Sequence, residues 1–185
     1  MTLNKKYIIG LTGPTGSGKS KVAGLFKDYN AHILDVDKYG HIALEHKQDE
    51  IVSFFGYGIL KTAGSALEID RKKLGEIVFS SNSNLEILNN IVHKHITELV
   101  YKDVYKKLNE SNGNIIIIDA ALLFNLKLHL ICTHTILVLC SKKKRLQRIM
   151  KRDKISKETA MNRIKSQEDY RKFKSIVDVV IFNND

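Results

Sequence analysis

The chain has 185 residues, 43% of them hydrophobic, with a formal net charge of +10. That length and apolar content suit one domain with a real core and argue against a disordered chain. The basic surplus favours anionic partners, whether nucleic acid, a membrane surface or a polyphosphate substrate, although a Lys-, Asn- and Ile-rich composition explains part of it.

The first element is "KKYIIGLT", a short apolar run that reads as a buried strand. It leads into "GPTGSGKS", Gly13 to Ser20, which fits the phosphate-loop pattern G-x-x-x-x-G-K-[ST]. A helix over Lys19–Tyr29 follows, with apolar Val22, Leu25 and Phe26 at helical spacing. Strand, glycine turn and helix are the context that this motif needs. Gly13, Gly16 and Gly18 let the backbone approach phosphates closely, and the helix start adds about half a positive charge. Pro14, Thr15 and Ser17 complete the nucleotide cradle. Lys19 is expected on the β- and γ-phosphates and the Ser20 hydroxyl on Mg²⁺.

A second strand is expected over Ala31–Leu34, followed by Asp35 and Asp37 in "HILDVDKYG". Ligands of parallel sheets lie beyond the carboxyl ends of the strands, which directs both carboxylates at the γ-phosphate region. One could take the proton of an attacking hydroxyl and the other could help hold metal-bound water. The competing reading makes Asp37 the cap of a helix starting at Lys38. Short helices over Asp49–Phe55 and Arg71–Phe79 follow, with the connection between them punctuated by Gly56, Gly58 and Gly64. A long helix over Asn84–Asn109 carries Leu85, Leu88, Val92, Ile96, Leu99, Val104 and Leu108 on its apolar face. His93 and His95 lie on it two apart, a spacing unlike a zinc pair. This insert exceeds what a crossover between parallel strands needs.

Four successive isoleucines, Ile115–Ile118, predict a strand covered on both faces. It ends at Asp119, placed to help hold Mg²⁺ directly or through water, or else to cap a following helix. Further strands are expected over Thr135–Leu139 and Val177–Phe182. Helical sequence runs from Ser141 to about Lys174, broken near Asp153–Ser156, with Ser156 as a cap. It holds the basic cluster Lys142, Lys143, Lys144, Arg145, Arg148, Lys151, Arg152 and Lys154. Arg148 and Arg152 are four apart, on one helix face, where guanidinium groups could neutralise a transferring phosphoryl. Strands alternating with helices make the class α/β, a doubly covered parallel sheet. Cys132 and Cys140 sit in apolar sequence and read as reduced residues of a cytosolic protein. There is no apolar run of membrane-spanning length, and "YIIGLT" is too short for a signal-peptide core.

These segments, in this order, resemble the dephospho-coenzyme A kinase family over nearly the whole chain. The resemblance rests on "GLTGPTGSGKS", "ILDVDKYG", "LEIDRKKLGEIVF", "LNNIVHKHI", "IIIIDAALLFN", "RLQRIMKRDKISKETAMNRIKSQ" and "VDVVIFNND". It implies a P-loop kinase three-layer sandwich with a five-stranded parallel sheet of order 2-3-1-4-5. It also implies a helical acceptor insert over 38–112 and a lid over 141–174, within a single domain. The implied reaction moves the γ-phosphate of ATP, with Mg²⁺, to the ribose 3′-hydroxyl of dephospho-coenzyme A. By resemblance Asp37 is the base, Arg71 and His93 line the acceptor site, Arg148 and Arg152 act from the lid beside Lys19, and Asn183 lies near the adenine. Asp35 is a weaker metal candidate than Ser20 and Asp119. The chain departs from the family at Pro14-Thr15 (usually Gly-Ile), Lys94 and Ala121 (usually proline), Asn125 (usually glutamate) and Arg145 (usually glutamine). Two other readings remain: a kinase for nucleosides or nucleotides, and a basic nucleic-acid-binding NTPase. The second lacks an aromatic-glycine RNA-binding signature. The expectation is a cytoplasmic enzyme with a small-molecule partner, no nucleic acid and no membrane, as a monomer or weak homo-oligomer.

Overall fold

A computed structural model describes residues 6–110 and 114–184. Lys5 of the first apolar run, position 112 at the expected edge of the insert, and Asp185 lie outside the described residues. The chain divides into two compact units, Met1–Asp35 with Val104–Asp185, and Val36–Asp103.

The first unit is built on a five-stranded sheet. Its strands are β1 (Tyr7–Thr12), β2 (His32–Asp35), β5 (Ile115–Asp119), β6 (His134–Leu139) and β7 (Val179–Phe182), with β3 and β4 belonging to the other unit. The order β2-β5-β1-β6-β7 is all parallel and equals 2-3-1-4-5 when only these five are counted. Successive side chains along a strand go to opposite faces, and β6 shows it. Ile136 and Val138 pack with Leu11, Ala23 and Ile117, whereas Leu137 and Leu139 pack with Tyr170 and Phe173. Both faces are therefore dry, and Ile116, Ile117 and Ile118 are at most 2% exposed. The helix after the glycine turn, α1 (Lys19–Leu25), ends earlier than its periodicity suggests, because Phe26–Tyr29 tightens into a 3₁₀ turn.

Two further helices, α6 (Lys142–Asp153) and α7 (Lys157–Lys165), pack together through Ile149 of the first and Ala160 and Ile164 of the second. Their break falls where the sequence puts it: the Ser156 hydroxyl accepts from the Thr159 amide and satisfies an otherwise orphaned donor.

The second unit holds α2 (Val36–His46), α3 (Gln48–Phe55), α4 (Arg71–Phe79) and most of α5 (Asn82–Asn109). Its core gathers Ile51, Val52, Ile59, Ile69, Leu74, Val78 and Ile91. The 28 residues of α5 run about 42 Å at ~1.5 Å per residue. The helix continues unbroken through Lys94, as a residue with a backbone N–H allows.

Three expectations are corrected. The glycine-punctuated connection contains a hairpin, β3 (Leu60–Ala63) against antiparallel β4 (Ala66–Ile69), turned by Gly64 at φ 61° and Ser65. Asp37 does not cap a helix beginning at Lys38, because α2 already begins at Val36 and Asp37 lies in its first turn. Asp119 caps no helix either: turns follow it, and its carboxylate is engaged elsewhere.

Candidate active site

The site is assembled at the carboxyl ends of β1, β5 and β2. Asp35 and Asp119 are register partners on adjacent strands, and Leu11 is the partner of Asp119 on β1. From β1 the chain enters the glycine turn. Its tightness is enforced by close packing: a Cβ on Gly13 would run into the Val138 carbonyl oxygen. Gly18 has φ 90°, and a Cβ there would collide with the Asn183 amide.

The N–H donors of the turn are sorted by their partners. Pro14 has none. The Thr15 amide donates to Gln167 Oε1 at 3.0 Å, and the Ser17 amide to the Pro14 carbonyl at 3.0 Å. Among the described residues, the amides of Gly16, Gly18, Lys19 and Ser20 meet no acceptor. Ser17 is buried, and its hydroxyl oxygen also has no partner among them. Open amides and an orphaned hydroxyl in a buried glycine turn make a nest for anionic oxygens.

Lys19 Nζ forms an ion pair with Asp119 Oδ1, and the two side chains are only 11% and 6% exposed. Ser20 is exposed at the start of α1, while Asp35 is half-buried. Ser20, Asp119 and Asp35 together offer only hard oxygen donors. That set fits Mg²⁺, which takes one or two carboxylates plus substrate phosphates rather than a dedicated protein cage.

The basic segment reaches the turn from α6. Arg148 Nη1 donates to the carbonyls of Gly16 and Ser17 at 3.3 and 3.0 Å, and its Nη2 lies 3.4 Å from Asn183 Oδ1. Asn183 Nδ2 donates to the same Ser17 carbonyl at 3.0 Å. Asn183 is itself fixed by its backbone N–H, which donates to the Leu139 carbonyl at 2.8 Å. Arg145 Nε donates to the Thr15 carbonyl at 3.0 Å. Arg152 is exposed and forked onto Asp153 at 2.7 and 3.1 Å. That hydrogen bonding raises the Arg152 pKa and, with Arg163, lowers that of Asp153. Beyond β5, the Ala121 carbonyl accepts from Tyr170 at 3.0 Å and Thr12 at 3.2 Å, so side chains hold the backbone there.

Both cysteines are half-buried free thiols. Burial pushes Cys132 up to about 12 and raises Cys140, whose Sγ lies 3.5 Å from the Gly16 carbonyl. Neither is poised as a thiolate nucleophile.

The remaining candidates belong to the second unit. Asp37 is exposed on the first turn of α2. Arg71, which directly follows the α4 cap Asp70, bonds His41 Nε2 at 2.9 Å. Both line a cavity of about 340 Å³ together with Lys61, Lys72 and the acids Glu45, Glu68 and Asp70. His93 is half-buried on α5 and does not line that cavity. Burial alone lowers its pKa.

The structure thus gathers Lys19, Asp119, Arg148 and Asn183 around the glycine turn, while Asp37, Arg71 and His93 lie in the other unit. It adds Gln167, and it gives Arg145 of the basic cluster a grip on Thr15 that has no local signature in sequence.

Comparisons with known proteins bear on the family of this chain. The sequence model of the dephospho-CoA kinase family matches residues 7–185. A dephospho-CoA kinase of Fusobacterium nucleatum is 40% identical over 96% of this chain and 89% of its own length. One from Arabidopsis thaliana is 36% identical over 96% and 76%. Among solved structures, the dephospho-CoA kinase of Campylobacter jejuni superposes with a TM-score of 0.61 at 28% identity, covering 97% of this chain and 89% of that one. A Thermus thermophilus protein superposes at 0.82 with 27% identity, covering 98% and 90%. A family match over nearly every residue, on a sheet whose strand ends carry the phosphate turn and its buried lysine–aspartate pair, means that this chain belongs to the dephospho-CoA kinase family.

Proposed function

We propose that this chain carries out the reaction of its family with the following residues. The substrates are ATP and dephospho-coenzyme A; the acceptor is the ribose 3′-hydroxyl. The open amides of Gly16, Gly18, Lys19 and Ser20 receive the phosphates, and the observation that carries this reading is that donor set beside the Lys19–Asp119 pair. Lys19 exchanges Asp119 for the β- and γ-phosphates. The exchange is charge-matched, because each buried charge then keeps an opposite partner. Ser20 and Asp119, with Asp35 as a weaker candidate, would hold Mg²⁺, which when bound screens the phosphate oxygens and orients them.

Asp37 accepts the 3′-hydroxyl proton as that oxygen bonds to the γ-phosphorus. The bond from the γ-phosphorus to the β-phosphate oxygen breaks, and ADP leaves. Arg148 steadies the turn through the Gly16 and Ser17 carbonyls, and Asn183 braces it near the adenine. Arg152, exposed on α6, supplies charge to the phosphoryl oxygens. Arg71 and His93 bind the acceptor, with the insert over 38–112 as its platform and 141–174 as a lid. In the Arg71 cavity, Lys61, Arg71 and Lys72 are the side chains that would meet the acceptor's phosphates, and they stand among Glu45, Glu68 and Asp70.

No helix among the described residues is long and apolar enough to cross a membrane. We place the enzyme in the cytoplasm, as a monomer or weak homo-oligomer. The test is ADP release from Mg-ATP, coupled to a detector, with dephospho-coenzyme A, nucleosides or nucleoside monophosphates as acceptor. Turnover confined to dephospho-coenzyme A is expected. Faster turnover with a nucleoside or its monophosphate would replace this reading.

A further inference from the structure

Within the glycine turn, the backbone of Thr15 is held by side chains from far along the chain. Thr15 is saturated along its backbone. Its N–H donates to Gln167 Oε1 at 3.0 Å, and its carbonyl accepts from Arg145 Nε at 3.0 Å. Arg145 Nη2 closes the ring by donating to the same Gln167 Oε1 at 2.8 Å. These bonds reach across 152, 130 and 22 positions of sequence. They tie the turn to α6 and to the segment just after α7. Gln167 and Arg145 are both half-buried.

Positions 14 and 15 consequently offer no N–H to a phosphate. Pro14 lacks the group and Thr15 has it occupied, while the amides of Gly16, Gly18, Lys19 and Ser20 stay open. A turn containing three glycines has many conformations to lose on binding. Holding Thr15 from both sides restricts them before the nucleotide arrives, and such preorganisation strengthens binding without a new contact to the ligand.

We infer that Gln167 and Arg145 are positioning residues for the nucleotide: they clamp Thr15 so that the open amides of Gly16, Gly18, Lys19 and Ser20 are held ready for the phosphates. The inference rests on the nucleotide reading of the turn given above. Neither side chain needs to touch the substrate.

The test uses the full chain with Gln167→Ala and Gln167→Glu, measuring Mg-ATP binding by calorimetry, KM for dephospho-coenzyme A, and the thermal midpoint. Gln167→Ala is expected to weaken Mg-ATP binding about tenfold, for the loss of two acceptor contacts. KM for the acceptor and the thermal midpoint should stay near the parent values. Gln167→Glu keeps an acceptor for both donors and should restore binding to within about threefold of the parent. A purely structural role would instead lower the midpoint without separating nucleotide from acceptor, and would overturn the inference. Mg-ATP binding unchanged in Gln167→Ala, or a Gln167→Glu protein no better than Gln167→Ala, would also overturn it. Should Gln167→Ala not fold, Arg145→Gln carries the same test, with the same weakening expected and unchanged binding as the refuting result. Failure of the parent protein to bind Mg-ATP would sink the nucleotide reading itself, a result distinct from all of these.

Discussion

Lys19 and Asp119, 100 positions apart in the chain, form an ion pair almost sealed from solvent at the ends of β5 and the glycine turn. A buried pair is costly to break from one side, because the remaining charge loses the counter-charge that offset its desolvation. Lys19→Met should therefore lower stability by about 3 kcal/mol as well as abolish ATP use. The double variant Lys19→Met/Asp119→Leu should recover most of that stability and none of the activity. Urea unfolding beside the ADP-release assay separates the two effects. A double variant no more stable than Lys19→Met would contradict the pairing argument.

Asp37 is proposed to take a proton and to contribute nothing to holding ATP. Asp37→Asn should lower kcat by a factor of about 10² to 10⁴ while Mg-ATP affinity stays near the parent value. Single-turnover kinetics and calorimetry check the two halves. Normal turnover would remove Asp37 from the mechanism.

Arg148 uses one guanidinium nitrogen on two carbonyls of the turn and the other beside Asn183. Lysine keeps the charge but not the planar fork. Arg148→Lys should therefore weaken Mg-ATP binding and lower kcat together, by about tenfold or more. A lysine variant with parent-like kinetics would show that charge alone suffices.

His93 gives a pH signature. Burial lowers its folded-state pKa below the unfolded value near 6.5. The neutral ring is the favoured form, so the contribution of this group to stability is complete above about pH 6.5. It is lost as pH falls from there through the lower folded-state pKa. His93→Gln should flatten that part of the stability profile below about pH 6.5. Urea titrations at closely spaced pH values test it, and an identical slope in parent and variant would refute the assignment.

Much of the architecture was legible from local chemistry. The isoleucine run predicts a strand dry on both faces because alternation is missing, and Ile116 to Ile118 are buried. Ser156 predicts a helix start because a hydroxyl can satisfy an orphaned amide, and it does so for Thr159. The hairpin β3–β4 had a signal too, the Gly64-Ser65 pair between two short runs. It was hard to read because β3 is half-buried or exposed and most of β4 is exposed, so the core imposes little alternation on them.

The sequence by itself determined which chemical groups are present and how the chain near them must bend: a strand, a glycine turn with a lysine and a serine, a helix, and acids at strand ends. Those follow from steric and hydrogen-bonding rules that act over a few residues. Which groups meet was decided only in three dimensions. Asp119 holds Lys19, Arg148 and Asn183 share the Ser17 carbonyl, and Gln167 takes the Thr15 amide. Contacts across 100 to 166 positions depend on sheet order and helix packing, and no local rule encodes them.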